Sequence, residues 1–196
     1  MTDITNVLYW ISTGLLVPII AFLLLSFLKS LMLLGSFFGV FINRLKYVKL
    51  QKPLIEDLHT NLSKLEELQG VKGNKKFTTS LSRIVTSNAN EVVIDKVLAD
   101  FEVASERELS DSKSLGKLGP MLGLMGTLIP MGPALVGLAS GDIASMAQNM
   151  QVAFSTTVVG LFCGGIGYVT QLVKQRWLIE DLNNLEFIGK LIVNKK

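Results

Sequence analysis

Long stretches of this chain carry no charged side chain, and this feature constrains its fold more than any other. No Asp, Glu, Lys or Arg occurs from Ile4 to Leu28, and Asp142 is the only one from Leu118 to Val173. A helix needs about 20 apolar residues to cross the ~30 Å hydrocarbon core of a bilayer. Hydrophobic residues make up 49% of the chain and charged residues 18%, which is untypical of a soluble domain. The sequence therefore predicts an all-α integral membrane protein.

The first predicted membrane span covers Ile11 to Leu28 and can begin as early as Val7. The apolar character continues to Asn43 with no turn sequence to divide it. A single helix over this whole stretch would be roughly 60 Å long at 1.5 Å per residue, which exceeds one crossing. We therefore expect one crossing whose helix continues out of the membrane, with Lys29 reaching the inner interface.

The second predicted span runs from about Leu118 to Leu138, and the third from about Met150 to Leu172. The connection between them is short and polar, ASGDIASMAQN. Ser140 or Asp142 can cap a brief surface helix there, because both side chains accept hydrogen bonds from backbone amides. Three transmembrane helices are therefore predicted.

The basic residues predict the orientation of these spans. Of the 19 Lys and Arg, 13 lie between Arg44 and Lys117 and five follow Val173, whereas the N-terminal MTDITN and the hairpin connection have none. By the positive-inside rule the middle region and the C-terminus are cytoplasmic, and the N-terminus and the hairpin lie outside a cytoplasmic (inner) membrane. The predicted organisation is a first span with its extension (1–43), a helical cytoplasmic region (44–117), the paired spans (118–173) and a cytoplasmic C-terminal helix (174–196).

The cytoplasmic region is predicted to be helical. Pro53 suits a helix start, and 70–76 (GVKGNKK) is typical of a turn. Apolar residues at helical spacing indicate buried faces before this turn, after it and in the C-terminal helix. These are Leu54, Leu58, Leu62, Leu65 and Leu68; then Leu81, Ile84, Val85, Ala89, Val92, Val93, Val97 and Phe101; and last Leu172, Val173, Ile179, Leu182 and Leu185.

Enzymatic chemistry finds no support in the sequence. Phosphate-binding, zinc-binding and nucleophile motifs are missing, so we expect no catalytic residue, metal or cofactor. His59 lies in the charged segment EDLHTN and is interpreted as a surface residue, and Cys163 as a small packing residue. The net charge of +3 is too small to indicate nucleic-acid binding.

Glycines recur at helical spacing in the second and third spans. Spacings of three and four place them along one face of each helix, where small residues let two backbones approach closely. The residues predicted to pack helices in this way are Gly116, Gly119, Gly123, Gly126, Gly160, Gly164 and Gly167.

Four hydroxyl side chains lie within the same spans: Thr127, Ser155, Thr156 and Thr157. Each can bond to a carbonyl one turn earlier in its own helix, and this interpretation is favoured for Ser155 and Thr156. Thr127 and Thr157 can do the same, or they can face an ion path or a partner. Asp142 is expected to be a cap or a solvated surface residue, so a proton path would need a titratable group from another polypeptide.

Two segments resemble signatures of the MotA/TolQ/ExbB proton-channel family. GPMLGLMGTLIPM is similar to its second-span signature and VAFSTTVVGLF to its final-span signature, and the resemblance covers about Lys113 to Trp177. It implies a ring of subunits, expected to be a homopentamer, around a single-span partner of the MotB/TolR/ExbD type whose span carries an aspartate. Passage of H⁺ or Na⁺ would then drive motion. Matched by position, Thr127, Thr157 and the neighbouring Thr156 lie near the ion path, and Pro120 opens the second span.

The sequence departs from that family pattern in two places. Members often carry a glutamate early in the third span, where this chain has Val152 beside Gln151, and Pro130 and Pro133 are also uncommon. The ion and the machine that is driven therefore stay open. Two other functions remain as alternatives, a non-conducting membrane scaffold and a small transporter, of which the transporter is disfavoured by the missing intramembrane charges.

Overall fold

The computed structural model describes residues 2–57, 68 and 74–194, and α-helices are the regular elements of this part of the chain. The helices are α1 (Thr2–Gly14), α2 (Leu16–Asp57), α3 (Lys75–Thr86), α4 (Glu91–Ala139) and α5 (Ile143–Asn194). Three helical stretches are long and apolar enough to cross a membrane: Asn6–Ile55, α4 and α5. The prediction of an all-α fold is thus confirmed for the described residues, and the three predicted spans correspond to three candidate membrane-spanning helices.

The sequence predicted one uninterrupted helix for the first span, but the structure has two, because Leu15 separates α1 from α2. The Leu15 amide still donates to Ile11 O, and the Ile19 amide donates to Leu15 O, both at 3.1 Å. The reason for the break is Pro18, which has no amide hydrogen for the carbonyl of Gly14. Since only one residue intervenes, the chain keeps its helical course.

The chain divides into two compact units. The first consists of Met1–Leu34 and Asp111–Gln171, and the second of Gly35–Ser110 and Leu172–Lys196. Helices α2, α4 and α5 contribute residues to both units. The candidate membrane-depth residues of α4 and α5 belong to the first unit.

Asp142 caps α5 at the turn of the first unit. Its Oδ1 accepts a hydrogen bond of 3.0 Å from the Ser145 amide, and Gly141 before it has φ 77°. The cap was predicted, but for a brief surface helix, and that part was wrong. Residues 143–149 contain no Gly or Pro, so the capped turn continues directly into the 52-residue α5.

A buried apolar cluster lies in the second unit. The apolar face predicted after the 70–76 turn is buried at Leu81, Ile84, Val97 and Phe101, whereas Val92 of the same predicted face is 77% exposed. It is not one continuous stripe, because Asn88 and Ala89 adopt left-handed backbone angles, φ 53° and 60°, between α3 and α4. The core residues are Tyr47, Ile55, Leu68, Phe77, Leu81, Ile84, Ile94, Val97, Phe101, Leu109, Leu178, Leu185 and Ile188.

The predicted helix start at Pro53 was wrong, since Pro53 lies inside α2. Proline removes a single amide donor, and the carbonyl left without its partner belongs to Lys49, an exposed residue that water can reach. Leu54 is half-buried and Leu68 is buried. Predictions for Leu58, His59, Leu62, Leu65 and 70–73 lie outside the described residues.

The buried face of the C-terminal helix is rotated from the predicted one. Leu185 is buried and Leu182 packs against the core, as predicted, but Leu172 and Ile179 are about half exposed. The residues that complete the buried face are Leu178 and Ile188. The error arose because both faces of this helix carry apolar residues, and spacing alone did not select between them.

Candidate functional site

Helices α4 and α5 touch backbone to backbone through glycines. A Cβ atom built on Gly160 would lie 2.6 Å from Gly119 O and 2.6 Å from Gly123 Cα. One built on Gly119 would lie 2.7 Å from Gly164 N. Real Cβ atoms do not approach backbone so closely, so the spacing of the two helices depends on the absence of side chains at these positions.

This contact, which we call the glycine seam, extends over several turns. Towards one end Gly167 meets Gly116, and a Cβ on Gly164 would lie 2.5 Å from the ring of Pro120. Towards the other end a Cβ on Gly126 would lie 2.6 Å from Thr156 Cβ. The seam is formed by Gly116, Gly119, Gly123 and Gly126 on α4 and by Gly160, Gly164 and Gly167 on α5. The glycines singled out in the sequence, and Pro120, therefore meet within one chain.

Thr156 lies inside the seam. It is 6% exposed, and its hydroxyl donates to Ala153 O at 2.9 Å and Val152 O at 3.1 Å. Its side chain faces Gly126 of the same chain. In the single chain Thr156 therefore contributes to helix packing.

Thr127 and Thr157 flank the seam and are both half-buried. Thr127 follows Gly126 directly, and the Thr157 Cα would lie 3.5 Å from a Cβ on Gly123. The Thr127 hydroxyl donates to Leu124 O at 2.7 Å, and that of Thr157 to Ala153 O at 3.2 Å. The structure thus brings the two threonines to the same stretch of the seam.

All four hydroxyls bond back to their own helix, since Ser155 likewise donates to Gln151 O at 2.8 Å. Such a bond uses the hydroxyl hydrogen and leaves the oxygen lone pairs as acceptors. Outward from the helix, Thr127 and Thr157 can therefore accept a hydrogen bond from water or from a protonated acid without placing a charge in the membrane.

Charged groups of the first unit make two described contacts. Asp142 is the cap of α5, and Lys29 Nζ lies 2.7 Å from Asp111 Oδ1. The Lys29 and Asp111 side chains are 57% and 67% exposed in the single chain. The sequence anticipated that Lys29 reaches an interface but not that a carboxylate of α4 would receive it.

A polar cluster in the second unit was missed by sequence reasoning. Arg44 on α2 binds Asp181 on α5 through two contacts of 2.7 Å, and the two side chains are 8% and 0% exposed. Asn74 donates to Asp181 Oδ2 at 3.0 Å while its own Oδ1 accepts from the Lys76 amide and caps α3. The sequence feature that could have revealed this cluster is Asp181, a charged residue three positions after Leu178 and four before Leu185, on the same helix face as these two core residues.

Aromatic rings enclose this cluster. The Arg44 guanidinium lies 5.6 Å from the ring centre of Tyr47 and 6.0 Å from that of Trp177. Burial and the nearby Asp181 carboxylate raise the pKa of the Tyr47 hydroxyl well above its usual value, and Arg44 opposes this effect. We call Arg44, Asp181 and Asn74 the polar node.

Comparison with known proteins agrees with this arrangement. A model of the MotA/TolQ/ExbB proton channel family matches residues 69–182, which is more than half of the 196-residue chain. No curated protein sequence matched the chain. The family match includes the whole glycine seam and the hydroxyls beside it. This chain is therefore a multi-pass membrane protein that belongs to the MotA/TolQ/ExbB proton channel family.

Proposed function

We propose that this protein is the channel-forming subunit of an ion-driven motor or energy-transducing complex. Copies of the chain form a ring, expected to be a homopentamer, around a single-span partner of the MotB/TolR/ExbD type that carries a membrane aspartate. Flow of H⁺ or Na⁺ past that aspartate is coupled to mechanical work. The chain contributes no catalysis and no cofactor. It resides in a cytoplasmic membrane with its N-terminus outside and its C-terminus in the cytoplasm.

The observation that carries this proposal is the composition of the paired spans. Between Leu118 and Gln171 the sequence has no Glu, His, Lys or Arg, and its one Asp, Asp142, is engaged as the cap of α5. Proton relays in membranes depend on Asp, Glu or His side chains. An ion path along these helices must therefore borrow its acid from another chain, which is what the proposed partner supplies.

The two threonines beside the seam give the chain a means to hold that acid. Their oxygen lone pairs can accept from water or from the protonated carboxyl group while the hydroxyl hydrogens stay bonded to Leu124 O and Ala153 O. A neutral acceptor lowers the energy of a proton carrier without the several kcal/mol that a buried charge costs. Thr127 and Thr157 are therefore proposed to face the ion and the partner.

The outer faces of α4 and α5 support assembly in a ring. Leu124, Leu128, Phe154 and Leu161 are each about 60% exposed in the single chain. Apolar faces of this kind lie against lipid or against other helices in a membrane. A ring of subunits provides both environments, with one face towards lipid and another towards neighbours and the partner.

The experiment is co-reconstitution of the chain and its single-span partner in vesicles, with ion flux measured by a fluorescent pH or Na⁺ indicator. The chain alone is expected to be silent, and the complex to conduct. Thr127→Val and Thr157→Val keep side-chain volume and remove the hydroxyl, so they should lower flux at least tenfold while assembly is retained. Ser155→Ala is the matched control, because it removes an exposed, similarly bonded hydroxyl that the proposal does not use.

A non-conducting scaffold is the second candidate, favoured by the fact that all four hydroxyls bond within their own helices. In that case both valine variants would conduct, assemble and work as the parent does. Full conduction by the chain in the absence of any partner would also refute the proposal, because it would show that the chain needs no borrowed acid.

A further inference from the structure

The polar node in the second unit is a costly arrangement for which packing alone gives no reason. Two opposite charges are buried between α2 and α5, with Asp181 fully buried and Arg44 8% exposed. Removing a charged pair from water costs about as much as the pair regains, and apolar residues of similar volume often serve stability equally well. The node must therefore contribute something other than net stability.

The aromatic contacts between α2 and α5 in this unit constrain the alignment of the two helices less than a directional polar contact does. Phe37 and Phe41 pack on Trp177 with ring centres 5.9 and 5.8 Å apart. Apolar contact is largely non-directional, and flat aromatic surfaces can slide over each other. Gly39 lies in the same stretch of α2, and a Cβ there would meet nothing within 4 Å, so this glycine provides no steric lock.

The polar contacts of the node, in contrast, form in one alignment. Arg44 Nη1 donates to Asp181 Oδ2 at 2.7 Å and Nη2 lies 2.7 Å from Oδ1, so the pair combines one directional hydrogen bond with a second close charge contact. A slip of one helical turn would move Asp181 by about 5.4 Å and leave both charges buried without partners. Asn74 extends the constraint to the first turn of α3, because its amide group bonds Asp181 and caps that helix at once.

We infer that Arg44 and Asp181 are positioning residues that fix the register of α2 against α5, with Asn74 adding the start of α3. Both helices continue from candidate membrane spans. The register is a property of the folded chain, whereas its use in transmitting motion from the spans rests on the proposed function.

The test compares the parent with the double variant Arg44→Met/Asp181→Leu, which replaces the charged pair by apolar side chains. Spin labels on Leu50→Cys and Asn183→Cys, one exposed position on each helix, report the α2–α5 distance in the full protein. Labelled subunits are diluted with unlabelled ones so that distances within one chain dominate. The parent treated with label is the control for Cys163, which is fully buried.

The parent should give one narrow distance distribution. The double variant should keep its melting temperature within a few degrees but give a broadened or split distribution, with a second component displaced on the order of 5 Å, one turn. A narrow distribution equal to that of the parent would overturn the inference, since contact and packing alone would then fix the register.

Two further arms make the result decisive. If the double variant does not fold, the same distance measurement is made on Arg44→Lys in its place. A single ammonium nitrogen cannot approach both carboxylate oxygens from two positions as the guanidinium does, so a wider distribution than the parent is expected and an equal one refutes the register role. In the complex with its partner, the double variant should conduct ions but lose at least tenfold in work per ion. Absence of flux in the parent complex would instead count against the proposed function, and the distance result would stand.

Discussion

Replacement of Gly160 by alanine is the sharpest test of the glycine seam. The added Cβ would lie 2.6 Å from Gly119 O and Gly123 Cα and 2.9 Å from Gly123 N. All three neighbours are backbone atoms, so no side chain can rotate away. To restore an ordinary contact of 3.4 Å, α4 and α5 must separate by about 0.8 Å along this direction. That separation would loosen every close contact along the seam.

The expected cost follows from two opposing effects. Overpacking of a well-packed contact costs about 1–3 kcal/mol, whereas alanine gains roughly 1 kcal/mol over glycine in a helix interior. Gly165→Ala is the matched control, because Gly165 lies in the same helix and a Cβ there meets nothing within 4 Å. The difference between the two variants therefore isolates the steric term, with Gly160→Ala about 1–3 kcal/mol less stable.

Thermal unfolding of the purified protein in detergent measures this difference. A chain of this size changes its melting temperature by about 2–4 °C for each kcal/mol, so Gly160→Ala should melt several degrees below Gly165→Ala. Gly35→Ala, on α2 and equally open, checks that the control does not act through a contact between subunits. If Gly160→Ala melts together with both controls, the close approach of α4 and α5 is refuted.

Three further predictions concern the cap, the polar node and the topology. Asp142→Ala should destabilise the protein by about 1 kcal/mol through loss of the α5 cap. Asp142→Asn should have a small effect on the melting temperature and on ion flux, because the amide oxygen still accepts the capping hydrogen bond. Total loss of flux in the Asn variant would place the ion site in the hairpin. The raised pKa of Tyr47 means that above pH about 10 the unfolded chain ionises there while the folded chain does not, so stability is lost as pH rises. Tyr47→Phe should show a shallower alkaline loss in pH-dependent melting, and an unchanged slope would contradict the burial argument. A thiol probe should react with Ser145→Cys from outside and with Lys75→Cys only from inside, and the reverse pattern would invert the orientation.

The seam could be predicted from the sequence because it depends on a single helix periodicity. Glycine spacings of three and four place Gly116 to Gly126 on one face of α4 whatever lies opposite. The same applies to the three spans, since length and apolar composition decide whether a helix can cross a bilayer. Predictions of this kind need no knowledge of a partner helix.

Features that depend on the partner helix were missed or misplaced. Asp181 is recognisable as a charge at core spacing, but its pairing with Arg44, 137 positions away, is a tertiary fact. The bend at Asn88 and Ala89 has no glycine to mark it. Pro53 was interpreted as a boundary, although the loss of one amide donor at an exposed turn is not enough to end a helix that the core holds in place.

The geometry of the seam also restricts where an ion can pass. At the level of Gly119, Gly123 and Gly160 the backbones of α4 and α5 are too close to admit even a methyl group, so water cannot enter between these two helices of one chain. A path that uses Thr127 and Thr157 must therefore run along the outside of the helix pair, and this is the surface on which we propose that the partner lies. The tight glycine contact and the missing acid thus support the proposed function by independent arguments. The glycine contact excludes a conduit between α4 and α5, and the composition of the two spans excludes an Asp, Glu or His proton carrier at membrane depth within them.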